Sequence, residues 1–168
     1  MGPPKVRRSL LILALCACGY RFTAAGGALP EGLRAVRAPM FDNHTSEPNA
    51  EILFTQAFRE QLTRSGALGS DQTEAVVEGS LDSVSGAPVL PGIDRTTGNS
   101  KLPTYRLSAS VHLKLQRAGR VLSETNVSGS EDYLSGADVL LTEANRSAAL
   151  RRLAEGLMRE GYERLASR

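Results

Sequence analysis

The chain has 168 residues with 20 Lys and Arg against 18 Asp and Glu, which is enough for one domain with a proper core and argues against a second. Three of the cations, Lys5, Arg7 and Arg8, stand at the extreme N-terminus; removing them leaves 17 basic against 18 acidic side chains. Without a single-sign excess there is no global field to draw in nucleic acid, and two neighbouring cysteines, Cys16 and Cys18, cannot make a disulfide framework for the fold.

Behind the N-terminal cations, Leu10-Leu11-Ile12-Leu13-Ala14-Leu15 form an apolar run too short to span a bilayer as a stable helix, the pattern of a secretory leader. Leu15-Cys16-Ala17-Cys18-Gly19 closes it. Cys18 follows small Ala17 and has Leu15 at minus three, whereas Cys16 follows bulky Leu15, which a small-residue cleavage pocket rejects. The stretch looks like a bacterial lipoprotein signal, unusual only in having Cys16 at minus two. Residues 1–17 are therefore expected to be a removed signal peptide, residues 18–30 a lipid-anchored tether and residues 31–168 a single domain. Cys18 is the expected acylation site. Each buried methylene contributes about 0.8 kcal/mol of membrane affinity, and two or more acyl chains make attachment stable. Acylation consumes the last thiol, so no disulfide is expected, and no cofactor beyond the covalent acyl chains. Gly19 stands where Asp, in the sorting rule of many Gram-negative lipoproteins, retains the protein in the inner membrane; outer-membrane placement is expected.

Leu33-Arg34-Ala35-Val36-Arg37-Ala38 alternates apolar and basic residues at period two, predicting a half-buried strand that Pro39 limits. Phe41 to Pro48 carries turn and capping chemistry, with Thr45 or Ser46 as caps and Pro48 suited to a first helical turn. Phe54, Ala57, Phe58 and Leu62 then recur at helical spacing and Gly66 offers a stop, predicting a helix over roughly 48 to 65. Ala75, Val77, Gly79 and Leu81 alternate with Val76, Glu78, Ser80 and Asp82 as a second strand, in which Gly79 marks a bulge or close packing.

The cleanest alternation runs from Tyr105 through Leu107, Ala109, Val111 and Leu113 to Leu115, a long strand with one wet face. Ala118-Gly119 is a tight turn, and Val121, Thr125, Val127 and Tyr133 continue the inward face on a returning strand. Gly86 to Pro103, without periodicity, is expected to be a long exposed loop. From about Leu141 the period returns to 3.6, with Leu150, Leu153, Leu157, Gly161 and Leu165 on one face. Gly156 and Gly161 each cost that helix about 1 kcal/mol relative to Ala, so one of them is expected to permit close approach to the sheet. The order is β-α-β-β-β-α. One apolar stripe per helix and one apolar face on the strands predict an α+β fold, two helices on one face of a four-stranded mixed sheet, beginning with a right-handed β-α-β crossover.

Cys18-Gly19-Tyr20 with Phe22, then Pro39-x-Phe41-x-Asn43-x-Thr45-x-x-Pro48, Glu51, Thr55 and Arg59-Glu60, resembles the LptE family of outer-membrane lipopolysaccharide-assembly lipoproteins. Glu78-Gly79-Ser80-Leu81, Tyr105-Arg106-Leu107 and Glu143-Ala144 through Ala148-Ala149-Leu150 extend the resemblance to the final helix. Met40, the lack of a Gly after Pro48, and the loop from Gly86 to Pro103 depart from the pattern. The resemblance implies a non-enzymatic subunit that plugs a large outer-membrane β-barrel, LptD, supports its assembly and assists delivery of lipopolysaccharide to the outer leaflet. Its implied partners are the barrel, lipopolysaccharide and the outer membrane. The alternative is an outer-membrane lipoprotein of similar small α/β architecture that activates a cell-wall synthase.

Lipid A phosphates suit Arg, whose planar fork binds two oxygens at once. Arg95 and Lys101 in the long loop are the candidate lipopolysaccharide-binding residues, with Arg106 and Lys114 extending a basic row along the wet face of the third strand. The alternative for all four is solubilising surface charge. Asp42, His44 and Ser46 lie too close together in one turn to converge as a catalytic triad, and their neighbourhood is better explained by turn and cap hydrogen bonds. His112 lacks a second ligand at metal spacing. No catalytic residue or metal site is expected.

Overall fold

The computed structural model describes residues 29–89 and 103–167; Cys18, Arg95 and Lys101 lie outside the described residues. After a 3-10 turn at Pro30–Gly32, the elements are β1 (Asp42–Asn43), α1 (Ala50–Arg64), β2 (Ala75–Val89), β3 (Thr104–Arg117), β4 (Arg120–Leu134) and α2 (Val139–Ala166). The sheet runs β1-β2-β3-β4, with β1 parallel to β2 and the other pairs antiparallel. This is the α+β order read from the sequence, two helices over one face of a mixed four-stranded sheet. Phe54, Phe58 and Leu62 of α1, Val77 and Leu81 of β2, Leu113 of β3 and Met158 and Leu165 of α2 are among the fully buried side chains that join helices to sheet in one core.

The first strand lies later than expected. Val36 and Arg37 make only isolated parallel bridges, to Leu68 and Val76, and the paired strand is Asp42–Asn43 against Ser80 and Leu81. Pro39 explains the break, because it has no N–H to continue a ladder. Between the two contacts Phe41 turns inward onto Gly79, where an added Cβ would stand 2.6 Å from three atoms of its ring. Gly79 is thus a site of close packing, and the bulge in β2 falls instead between Leu81 and Ser83.

Helix α1 begins at Ala50, with Asn49 as its N-cap in the left-handed region at φ 60° and no side-chain cap bond. Thr45 and Ser46 do not cap it. Asn43 performs the organising work: its Oδ1 accepts from the Thr45 amide and hydroxyl, while its Nδ2 donates to the Glu47 carbonyl and to Glu51 Oε2 in the first turn. Asn tolerates the left-handed conformation better than most residues, which lets Asn49 start the helix after Pro48. The C-terminus matches expectation, with Gly66 at φ +68°, its amide on Thr63 and the Ala67 amide on Leu62, a Schellman closure.

The β2–β3 ladder reaches Val89↔Thr104, so residues 86–89 belong to β2 and the connection is shorter than the predicted loop. Pro88 is tolerated because β1 pairs β2 only at Ser80 and Leu81, leaving this end of β2 as a sheet edge. In β4 a register shift opposite Leu115 and Gln116 turns Leu122 toward the core and leaves Val121 49% exposed, reversing the expected role of Val121. In α2, which starts two residues before Leu141 with Asp138 Oδ1 accepting the Leu141 amide at 2.7 Å, the close approach belongs to Gly161. A Cβ there would lie 2.4 Å from Leu113 Cδ1, whereas one at Gly156 meets nothing within 4 Å.

Candidate functional site

The two ends of the sheet differ in kind. At the hairpin end, Arg120 pairs with Glu31, so the chain enters the domain beside the Ala118-Gly119 turn. At the opposite end, Val89 and Thr104 lead into and out of residues 90–102, and β4 hands over to α2. There Leu134, Val139, Leu140 and Leu141 are exposed, Val139 and Leu140 at 82% and 83%. Consecutive apolar side chains left in water at a helix start contribute nothing to this core and mark a surface suited to contact.

Beneath that rim, the cross-strand pair Tyr105 and Tyr133 stacks with ring centroids 5.5 Å apart. Partial burial holds the Tyr133 hydroxyl above the usual tyrosine pKa, offset in part by the Arg146 charge. Arg146 clamps the two helix starts together by pairing with Glu47 before α1 and Glu143 in α2. Its guanidinium pKa is raised, first by the hydrogen bond to Glu47. This cluster fixes the base from which the long connection departs.

The basic row expected on the wet face of β3 is present but already neutralised. Arg106 binds Asp132 through two parallel bonds, Nε to Oδ1 at 2.7 Å and Nη2 to Oδ2 at 2.9 Å, and Lys114 pairs with Glu78 at 2.8 Å. Each partner's hydrogen bond raises the pKa of its cation and, for Asp132, the bond from Arg106 lowers the carboxyl below its ordinary range. Both cations are thus held in solvent-exposed cross-strand ion pairs.

Asp42, His44 and Ser46 make no side-chain hydrogen bond with one another among the described residues; the His44 amide donates to the Leu81 carbonyl, continuing the β1 contact. His112 Nδ1 lies 2.7 Å from Asn126 Oδ1 on the outer sheet face. Among the described residues no group of three or more His, Cys, Asp and Glu side chains is arranged to hold a metal ion, and no helix is long and apolar enough to cross a membrane.

No curated protein matches the chain in sequence. Solved structures match its fold. A putative lipoprotein from Caulobacter crescentus superposes with a TM-score of 0.58 at 17% identity, covering 81% of this chain and 91% of that one. The rare lipoprotein B from Shewanella oneidensis gives 0.53 at 17% identity over 76% and 93% of the two chains. A hypothetical protein from Chlamydia trachomatis gives 0.56 at 14% identity over 79% and 95%. The family model described as LptE, lipopolysaccharide-assembly, matches residues 33–165, a span that takes in every strand and all but the last residue of α2. By that match the chain belongs to the LptE lipopolysaccharide-assembly family.

Proposed function

We propose that this protein is a non-catalytic outer-membrane lipoprotein, anchored through acyl chains on Cys18, that seats inside an LptD-type β-barrel, supports its assembly and helps deliver lipopolysaccharide to the outer leaflet. The family match across residues 33–165 carries this reading, and the leader ending at Cys18-Gly19 supports the anchor. Chain entry at the hairpin end leaves the apolar rim at Leu134 and Val139–Leu141 at the other end of the sheet, about 45 Å away for a strand of this length. An apolar rim at the end of the sheet away from Glu31 is suited to contact with a partner. Arg95 and Lys101, in the connection that leaves from that rim, are the proposed contacts to lipid phosphates.

Affinity purification of the full chain from detergent-extracted envelopes tests the reading. A barrel protein should be recovered in near-equal amount, and depletion of the chain should lower surface lipopolysaccharide. Recovery of a cell-wall synthase without a barrel would overturn it.

A further inference from the structure

Two methionines, Met40 and Met158, lie among the described residues, and the fold treats them in opposite ways. Met158 is fully buried in the core, whereas Met40 is 53% exposed. The local chain path decides this. Phe41 turns inward onto Gly79, and Met40, one residue earlier, is left beside the exposed face of α1, in a cleft of about 410 Å³ that Ile52, Thr55, Gln56, Arg59 and Glu60 help to line. Met40 is also a position at which the chain departs from the family pattern, so the family reading gives it no role.

The sulfur is available as well as accessible. Thr55 Oγ1 lies 3.5 Å from Met40 Sδ, but its hydroxyl has a single proton, and the Glu51 carbonyl at 2.6 Å is the better placed acceptor; the same oxygen accepts from the Phe41 amide at 2.9 Å. The sulfur lone pairs are therefore not held in a strong hydrogen bond. Arg59 stands in the same cleft, its Nε donating to the Ala38 carbonyl at 2.9 Å, which fixes the guanidinium beside this segment. Its Nη groups have no partner among the described residues. A sulfoxide oxygen is a far stronger acceptor than a thioether sulfur, and here a charged donor is already in place for it.

We propose that Met40 is an oxidant-responsive modification site, converted to its sulfoxide by a peroxide while Met158 is spared, with the new oxygen accepting a hydrogen bond from Arg59. A sulfur lone pair attacks one peroxide oxygen, an S–O bond forms as the O–O bond breaks, and the departing hydroxide takes the proton of the transferred oxygen and leaves as water. Sulfur is oxidised by two electrons and the peroxide is reduced by the same two. Because the sulfur lies outside the core, the change adds a polar group at the surface without disturbing packing, and a sulfoxide reductase can reach it to restore the thioether. This inference stands on the exposure and surroundings of Met40 and does not rest on the proposed function.

Peptide mass mapping after graded hydrogen peroxide treatment of the full secreted Cys18→Ala chain tests it. In the folded chain Met40 should gain one oxygen about tenfold or more faster than Met158, and in urea the two rates should converge. Equal rates in the folded chain, or a Met40 that stays unoxidised while Met158 reacts, overturn the proposal. Methionine sulfoxide reductases of both stereospecificities should together return Met40 to its original mass, and a persistent added oxygen overturns the reversibility. Nitrogen-15 NMR of the same chain reads the Arg59 contact: the Arg59 Nε–H signal should move when the parent is oxidised and stay in place when a Met40→Leu variant receives the same treatment. An Arg59 signal unmoved after complete oxidation of Met40, or one that moves equally in Met40→Leu, overturns the contact.

Discussion

Replacing Gly79 with Ala puts a methyl group where the structure has an aromatic ring. The new Cβ would meet Phe41 Cγ, Cδ1 and Cδ2 at 2.6 Å, against the roughly 3.5–4.0 Å at which carbon atoms pack, so the ring must retreat by about 1 Å. It has little room. Phe41 is 2% exposed and its ring centroid lies 5.7 Å from that of Phe58, itself fully buried. Overpacking of this kind costs about 1–3 kcal/mol, and the lower backbone entropy of unfolded Ala returns roughly 0.5–1 kcal/mol. The net loss should be about 1–2 kcal/mol, or roughly 3–8 °C in melting temperature for a domain of this size. Urea denaturation of the parent, Gly79→Ala, Phe41→Leu and the double variant, all as secreted Cys18→Ala chains, measures it. Phe41→Leu alone opens space, so Gly79→Ala in that background should be nearly neutral and the cycle should show coupling of about 1 kcal/mol or more. An unchanged midpoint for Gly79→Ala, or additivity within about 0.3 kcal/mol, would refute the packing argument.

The two glycines of α2 should respond with opposite signs: Gly156→Ala should raise the denaturation midpoint by up to about 1 kcal/mol of helix propensity, while Gly161→Ala should lower it because its Cβ meets the buried Leu113. Equal shifts in circular-dichroism melts would contradict that assignment. In an Arg106→Gln variant the Asp132 carboxyl, now held below its ordinary range by the Arg106 hydrogen bond, should titrate higher by carbon-13 NMR. Because the folded-state pKa is lowered, the pair's contribution is present above the ordinary carboxylate pKa and is lost as pH falls through the lowered value; an unmoved Asp132 titration would discount the pair. Cys18→Ala should abolish incorporation of a fatty-acid analogue in metabolic labelling, and undiminished label would move the acylation elsewhere. Arg95→Ala with Lys101→Ala should melt within about 0.5 kcal/mol of the parent yet bind lipopolysaccharide more weakly, each lost charge-assisted hydrogen bond removing about 1.5–3 kcal/mol. Unchanged affinity of the soluble double variant would return both residues to the role of solvated surface charge.

Much of the domain was legible because local periodicity and core-facing geometry coincide. Leu107 to Leu115 alternate in sequence and alternate in burial, and the α1 stripe through Phe54, Phe58 and Leu62 is the stripe that packs. Gly66 could be read as a stop since a left-handed residue after a helix is a local requirement that Gly meets at little cost. The candidate site was less legible. The basic row on β3 is plain in sequence, but its neutralisation by Glu78 and Asp132 depends on cross-strand neighbours 36 and 26 positions away. The apolar Val139–Leu141 run could be noticed, yet its exposure is set by where the sheet ends.

By itself the sequence determined the element order, the inward faces of β3 and α1, the helix stop at Gly66 and the lipoprotein-like leader, all of which depend on residues within a few positions of one another. Tertiary structure alone decided where β1 pairs, because Pro39 interrupts one candidate and only the partner groups at Ser80 and Leu81 select the other. It decided that Leu122 rather than Val121 packs against the core, since a bulge is set by the register between two strands and not by either strand's pattern. It also decided which glycine in α2 is required, for the two differ only in what lies opposite: open space at Gly156 and the Leu113 side chain at Gly161.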